Sequence, residues 1–260
     1  MLARTHVLSG ACAWAGLAPA LGVDTPLELL AGCLAGGGAA LLPDLDVHSG
    51  TASKTWGPIT RVLGRRIGRI CGGHRAGTHT VLAAVVVAVA VHFVMTAGGG
   101  YRWVALPLVA LMVGLCLVAW EDLIPGRISY RRSPLHRRRD WPIGPGEEYS
   151  AEPRRVRHSA QWERVWPVNL AASFGIAWAV LGSGVADRWL PVAVGVGWLA
   201  HVAGDAMTVG GVRPLMPLSN ARLRLSRLRT GGKILGFRWE PAAQGTFGVA
   251  TVALLMIGIR

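Results

Sequence analysis

Three short polar groups in this 260-residue chain carry side chains of the types that bind transition metals. They read PDLDVH at 43–48, HRAGTH at 74–79 and HVAGD at 201–205, each at or near one end of an apolar run. Aspartate with histidine suits Zn, Mn or Fe, whereas an all-oxygen set would suit Mg or Ca. We therefore predict a divalent metal centre, with zinc first and manganese or iron as alternatives, built from Asp44, Asp46, His48, His74, His79, His201 and Asp205.

The spacing within two of these groups favours shared ligation. His201 and Asp205 are four residues apart, so on a helix they share one face and can reach the same ion. Asp44 and Asp46 are two residues apart, and paired carboxylates can share two ions, as in many sites of phosphoester hydrolysis. The number of metals stays open at this stage. Ionisable groups on an apolar helix are costly at membrane depth, which favours a functional role for the pair at 201 and 205.

The elements that carry these groups are apolar runs of helical length. The chain is 52% hydrophobic and 16% charged, against roughly 25% charged for an average soluble domain. A soluble bundle is disfavoured because these runs leave almost no amphipathic surface helix. The sequence predicts an all-α, polytopic membrane helical bundle with about five to seven transmembrane helices. The number is a range because the first two of the seven runs are short and Gly-rich. The runs lie at 7–23, 27–43, 79–97, 103–120, 166–182, 189–208 and 242–259.

Lysine and arginine predict the orientation of this bundle. With a cytoplasmic N-terminus and every run spanning, all but three of the 27 basic residues fall in cytoplasmic segments, the exceptions being Arg102, Arg188 and Arg260. This agrees with the positive-inside rule and predicts a multi-pass protein of the plasma membrane, the inner membrane of a bacterium. The three polar groups then meet at the cytoplasmic face, and His6 lies on that side as a further candidate ligand.

A long polar interval interrupts the runs at 121–165. Its Pro, Gly and mixed charge predict a basic cytoplasmic loop within a single membrane-embedded domain at 1–260. His136 and His158 lie there among arginines and are interpreted as solvated. The net charge of +13 is explained by topology and by attraction to anionic headgroups. Membrane lipids are therefore expected partners, and nucleic acid is not.

The motifs resemble the YdjM-like family of bacterial inner-membrane proteins, described as LexA-regulated metal-dependent hydrolases. The family pattern is an N-terminal Thr-His, a PDxD-His element, HRxxTHS, and HxxxDxxTxxG before a Pro-containing turn. The resemblance covers most of the chain outside the basic loop, at Thr5, His6, Asp44, Asp46, His74, Arg75, Thr78, His79, His201, Asp205, Thr208 and Gly211. The chain departs from the pattern at His48, two residues after Asp46 rather than next to it, and at Thr80, where the family has Ser.

This resemblance implies a membrane-embedded hydrolase that uses a metal-activated water. A more distant similarity to zinc-dependent phospholipase C suggests a phosphoester substrate, and the position at headgroup depth suggests a lipid or lipid-linked one. Arg75 is the candidate catalytic residue beyond the ligands, since its guanidinium can steady a phosphate or carboxylate by charge-assisted hydrogen bonds. An alternative role for Arg75 is a positive-inside anchor.

Two other functions are consistent with a polytopic protein of this composition. A membrane transporter or ion permease would use His201 and Asp205 in a proton or metal pathway. That function would require polar groups at midplane depth on several helices, whereas the predicted topology places them on one side of the membrane. A non-catalytic membrane anchor or scaffold would recruit a cytosolic partner through the loop at 121–165. His92, in the middle of an apolar run, is expected to be an interhelical, hydrogen-bonded histidine.

Overall fold

The computed structural model describes residues 2–48, 50–97, 101–120, 128–131, 154–157, 162–226, 233–234 and 237–258. Helices dominate these residues: α1 (Ala3–Leu17), α2 (Pro26–Ala39), α3 (Pro58–Ile70), α4 (Val81–Thr96), α5 (Leu106–Val118), α6 (Trp162–Gly182), α7 (Leu190–Ala206) and α8 (Trp239–Gly258). Seven of them overlap the seven predicted runs, although α1 begins four residues before its run and ends six residues before the end of that run. The exception is α3, which occupies a polar interval where the sequence predicted no helix.

Strands are confined to two short antiparallel ladders in the described part of the chain. β1 (Ile128–Arg131) pairs with β2 (Arg154–Arg157), and β3 (Lys233–Ile234) pairs with β4 (Phe237–Arg238). The first ladder falls within the predicted basic loop at 121–165. The other residues of that loop before α6, including His136 and His158, lie outside the described residues.

The helices fit a membrane by length and composition. Three spans are long and apolar enough to cross one: Pro26–Asp46, Val165–Gly182 and Trp239–Gly258. Three shorter helices are also apolar: Val81–Thr96, Trp103–Val118 and Leu190–Ala206. The predicted all-α membrane bundle is thereby confirmed, whereas its orientation with a cytoplasmic N-terminus stays a prediction.

The centre of the bundle is formed by α1, α2 and α7, which all pack against one another. Gly10 of α1 and Gly197 of α7 both approach the backbone of Gly36 in α2 so closely that neither position has room for a Cβ atom. Small residues at helix crossings are typical of membrane bundles, where close backbone approach replaces the hydrophobic effect as the source of packing energy. This close packing brings the ends of the three helices together.

Each polar group lies in a turn or at the end of a helix, and residues within or next to the group determine where that turn or helix begins or ends. After α2, Pro43–Asp46 form a 3-10 turn, with Pro43 at its first position, where a missing N–H costs nothing. Gly77–His79 form another 3-10 turn, and Thr80 then caps α4 by accepting a hydrogen bond from the N–H of Ala83 at 3.0 Å. His201 and Asp205 lie in the last turns of α7.

Two histidines lie elsewhere than the sequence suggested. His6 was expected just before the first helix, but α1 begins at Ala3, so His6 is a helical residue. His92 was expected between helices. Its side chain is exposed on α4 instead, and its ring contacts that of Phe93 with centroids 6.0 Å apart.

Candidate metal centre

Two histidine nitrogens from the three polar groups each lie at a similar distance from the same two carboxylate oxygens. Nε2 of His79 is 3.7 Å from Oδ1 of Asp44 and 3.6 Å from Oδ2 of Asp205. Nε2 of His201 is 3.8 Å from the same Asp44 oxygen and 3.7 Å from the same Asp205 oxygen. These distances exceed hydrogen-bond lengths. They are close to the edge of about 3.5 Å of a tetrahedron with metal–ligand bonds of about 2.1 Å.

The imidazole nitrogens facing this space are buried and unsatisfied. Among the described residues, Nε2 of His79, Nε2 of His201 and both ring nitrogens of His6 have no hydrogen-bond partner. Leaving a buried polar atom without a partner costs roughly 1–3 kcal/mol, so such atoms are rare unless something else satisfies them. Imidazole nitrogen and carboxylate oxygen are the donors that Zn, Mn and Fe take. The residues therefore fit a divalent transition metal.

Hydrogen bonds fix which nitrogen of each histidine faces the centre. Nδ1 of His201 is 2.7 Å from the carbonyl oxygen of Ala40, which can only accept, so Nδ1 carries the proton. The Thr78 hydroxyl donates to Oδ2 of Asp46 at 2.7 Å and is 2.9 Å from Nδ1 of His79. Having given its proton to Asp46, the hydroxyl accepts from Nδ1. In their neutral forms both histidines therefore keep the lone pair of Nε2 for the centre, an orientation that hydrogen-bond partners of metal-binding histidines commonly provide.

Protonation of His79 opposes metal binding. Burial by itself lowers the pKa of His79, but the neighbouring negative carboxylates of Asp44 and Asp46 outweigh burial and raise the pKa to about 9. In the metal-free protein at neutral pH, the imidazole therefore holds a proton that a cation must displace.

His6 adds a third imidazole to the centre. Its ring is 1% exposed and stacks on that of His201. Nε2 of His6 is 3.6 Å from Oδ1 of Asp205, the carboxylate oxygen not used by His79 and His201. His6, His201 and Asp205 form one group of potential ligands, and Asp44, His79 and His201 form another.

Asp46 and His74 lie behind His79. Asp46 accepts a hydrogen bond from Nδ1 of His74 at 3.0 Å as well as the one from Thr78. His74 is 43% exposed, so it is the outermost of these side chains. Asp46, His74 and His79 form a third group of potential ligands, but Nδ1 of His79, which lies 3.4 Å from Asp46, already bonds Thr78.

Comparison with known proteins gives one family match. The model described as "YdjM inner membrane protein" matches residues 1–127 and 129–260, nearly the whole chain. The chain belongs to this family. The predicted family and the predicted inner-membrane localisation are confirmed. No curated protein and no solved structure matches the chain.

In this YdjM-family protein, Arg75 joins two of the polar groups. Its Nε is 3.2 Å from Oδ2 of Asp205, and its Nη1 donates to the Thr208 hydroxyl at 3.0 Å and to the Gly211 carbonyl at 3.3 Å. The backbone of Arg75 is left-handed, with φ of 61°, which costs a non-glycine residue about 1–3 kcal/mol. At Gly210 a Cβ atom would overlap the guanidinium. Arg75 thus holds the end of α7 against the HRAGTH group. Its predicted contact with a substrate anion stays a prediction.

A cavity of about 260 Å³ opens beside the centre. One part of its wall is polar and carries Asp44, His74, Arg75 and Asp205. The remainder is mostly apolar or backbone and comes from the start of α1, the end of α2 and the segment after the Pro43–Asp46 turn: Leu2, Ala3, Leu41, Val47, Gly50, Thr51 and Ala52. The candidate centre of this YdjM-family protein is therefore open to the outside through a cavity whose wall is partly polar and partly apolar.

His48 and several supporting groups show the limits of reading ligands from the sequence. His48 is an exposed turn residue and belongs to none of the three ligand groups found among the described residues. Three supporting hydrogen bonds had not been predicted. The Thr78 hydroxyl donates to Asp46, and Trp198 Nε1 donates to the Thr78 carbonyl at 2.8 Å. His201 Nδ1 donates to the Ala40 carbonyl. Only Thr78, directly before a candidate ligand, carried a sequence signal.

Proposed function

We propose that this protein is a membrane-bound, metal-dependent hydrolase whose centre binds a divalent cation. Zinc is the preferred candidate, and manganese and iron are the alternatives. His79, His201, Asp44 and Asp205 would hold the cation, with His6 as an additional ligand. The observation that carries the proposal is that Nε2 of His79 and Nε2 of His201 each lie 3.6–3.8 Å from the same two carboxylate oxygens, while neither nitrogen has a hydrogen-bond partner among the described residues.

The supporting residues have distinct tasks in this proposal. A divalent cation bound in such a site lowers the pKa of a water toward neutrality and polarises the bond to be cleaved. Thr78, with Asp46 behind it, keeps Nδ1 of His79 protonated, and the Ala40 carbonyl does the same for His201. Arg75 keeps the Asp205 carboxylate turned toward the centre by a charge-assisted contact.

A phosphoester on a lipid or lipid-linked molecule suits the cavity. Its polar wall offers Arg75, which is partly exposed and cationic, beside the centre. Its apolar wall offers Leu2, Leu41 and Val47, which suit the hydrocarbon next to a headgroup. The centre lies at the ends of apolar helices, where a lipid headgroup would be found.

Metal content tests the proposed ligands. Elemental analysis of purified wild-type protein should find about one or two equivalents of a transition metal per chain. His79→Ala and Asp205→Ala should each lose most of it, because a histidine nitrogen and a shared carboxylate are removed. His92→Ala is the matched control, since it removes an exposed histidine from an apolar helix. Wild-type metal content in both site variants would refute the centre.

Turnover tests the hydrolase assignment separately. In mixed micelles of lipid phosphoesters, the metal-loaded protein should release water-soluble phosphate compounds, and chelation followed by metal addition should abolish and restore the release. A permease with the same centre would instead move the cation into sealed proteoliposomes without any cleavage. Metal flux with no product from any phosphoester would reject the hydrolase and retain the centre.

A further inference from the structure

The unpredicted helix α3 packs against the Pro43–Asp46 turn through its smallest residues. Gly64 is buried, and a Cβ at this position would overlap the Leu45 carbonyl oxygen. At Gly68 a Cβ would lie 2.7 Å from the Asp46 carbonyl oxygen. The helix backbone therefore rests directly on the turn that carries two of the candidate ligands, and its position and that of the turn depend on each other.

A second face of α3 exposes large apolar side chains. Ile59 is 50% exposed, Leu63 38% and Ile70 83%. At 100° per residue these three positions fall within about 40° of one another around the helix. An exposed apolar stripe of this kind marks a contact with another apolar phase or surface.

A third face of α3 is strongly basic. Arg65, Arg66 and Arg69 are exposed, and at 100° per residue they occupy an arc of about 100° that begins about 20° from Ile59 and also includes Val62, which is 48% exposed. The helix sequence PITRVLGRRIGRI contains no acidic residue. A helix with one apolar face and one cationic face is the form that lies in the plane of a membrane interface, with its apolar residues near the acyl boundary and its arginines among anionic headgroups.

The chain places α3 where such an interface would be. The apolar span Pro26–Asp46 precedes it and the apolar helix α4 follows it. The turn after α2 and the residues just before α4 meet at the metal centre, since Asp44 lies 3.7 Å from His79. α3 therefore connects two apolar helices at their common end, and its contact with the Pro43–Asp46 turn keeps it there.

We propose that α3 is an interfacial helix that binds the anionic phospholipid headgroups of the surrounding bilayer. Ile59, Leu63 and Ile70 enter the headgroup–acyl boundary, while Arg65, Arg66 and Arg69 pair with lipid phosphates. Because Gly64 and Gly68 rest on the Pro43–Asp46 turn, contact of α3 with the lipid surface also fixes how deep that turn lies relative to the bilayer. The proposal concerns lipid contact and stands whether or not the centre hydrolyses a substrate.

Hydrogen–deuterium exchange of the full chain in nanodiscs tests this contact. Discs of phosphatidylcholine are compared with discs holding about a third of phosphatidylglycerol, a charge density at which basic helices associate strongly. Exchange of amides in residues 62–70 should be several-fold slower with phosphatidylglycerol. About 0.5 M NaCl should remove the difference, because salt screens exposed charges.

Charge-removing variants assign the effect to α3. The triple variant R65Q/R66Q/R69Q should lose the lipid-dependent slowing, since each arginine contributes about fivefold to surface association. The variant R65K/R66K/R69K should retain it. The matched control is R222Q/R224Q, which removes two exposed arginines from the segment after α7. Unchanged metal content and melting temperature would verify that every variant is folded.

Two results would overturn the proposal. Exchange that is equally slow in both bilayers and in the triple variant would mean that the arginines do not contact anionic lipid. Slowing that occurs only in discs holding two copies, regardless of lipid charge, would assign the apolar stripe of α3 to a second copy of the chain.

Discussion

The ring of His6 lies on the ring of His201, with centroids 3.9 Å apart and planes inclined by 21°. The stack joins the first turns of α1 to the last turns of α7, almost two hundred residues away in sequence. Both rings adjoin the Asp205 carboxylate, His6 at Oδ1 and His201 at Oδ2. The N-terminal helix therefore closes the candidate centre on one side.

Two substitutions at His6 separate ligation from packing. His6→Phe keeps a flat ring for the stack but removes both nitrogens, whereas His6→Ala removes both features. If His6 is a ligand, both variants should bind metal at least about 10–100-fold more weakly, the range known for disturbed metal sites. Competition titration with a chromogenic chelator measures this affinity. Wild-type affinity in His6→Phe alone would assign His6 a packing role.

Metal binding should depend on pH through His79. The pKa of His79 is raised to about 9, so below that pH one proton must leave for each cation bound at Nε2. Affinity should therefore rise about tenfold per pH unit between pH 6 and 9 and then level off. Chelator titrations at several pH values measure the slope. A flat profile over this range would show that His79 does not exchange a proton for the metal.

The same pKa shift predicts the opposite trend for stability of the metal-free protein. The folded pKa of about 9 exceeds the reference value of 6.5, so the folded state binds the proton more tightly than the unfolded state. This contribution is fully present below pH 6.5 and is lost as pH rises through about 9. The melting temperature of chelator-treated wild type should fall over that window. His79→Gln, which does not titrate, should lack this part of the decrease.

Thr78 tests the hydrogen-bond relay behind His79. Thr78→Val keeps the shape of the side chain but removes the hydroxyl that joins Asp46 to Nδ1 of His79. Loss of a hydrogen-bond partner that orients a metal-binding histidine lowers metal affinity by about 10–100-fold. Thr78→Ser should bind nearly as well as wild type, because it restores the hydroxyl. Equal affinities in the Val and Ser variants would mean that the relay does not orient His79.

The sequence predicted the membrane helices and most of the residues that meet at the centre, for physical reasons. Seven apolar runs identify their own helices, and the spacing of His201 and Asp205 places both on one face of a helix. The Ala40 carbonyl could not be predicted, because an alanine has no chemical signal and its role depends on the packing of α2 against α7. His48 was included only because it adjoins the PDLD turn in sequence, but the turn directs it outward.

α3 was missed for a different reason. Its apolar residues do not form a continuous run, and its arginines dominate the composition of the interval. Only the arrangement around the helix, at 100° per residue, separates the buried face from the exposed side, where the arginines lie beside the apolar stripe. Gly64 and Gly68 also weaken any helix prediction based on propensity, although the structure requires glycine at both positions for contact with the Pro43–Asp46 turn.

Gly210 should prove as important to the centre as some of its polar residues. A Cβ at Gly210 would overlap the Arg75 guanidinium, so Gly210→Ala should displace the side chain that holds Asp205 and Thr208. We expect weaker metal binding and a loss of roughly 1.5–3 kcal/mol in stability, because the Arg75 guanidinium gives up its charge-assisted contacts with Asp205 and Thr208. In an Arg75→Ala background the overlap disappears, so the same Gly210→Ala change should cost much less. A double-mutant cycle by thermal unfolding and metal titration measures this coupling. Strictly additive effects would show that Gly210 does not act through Arg75.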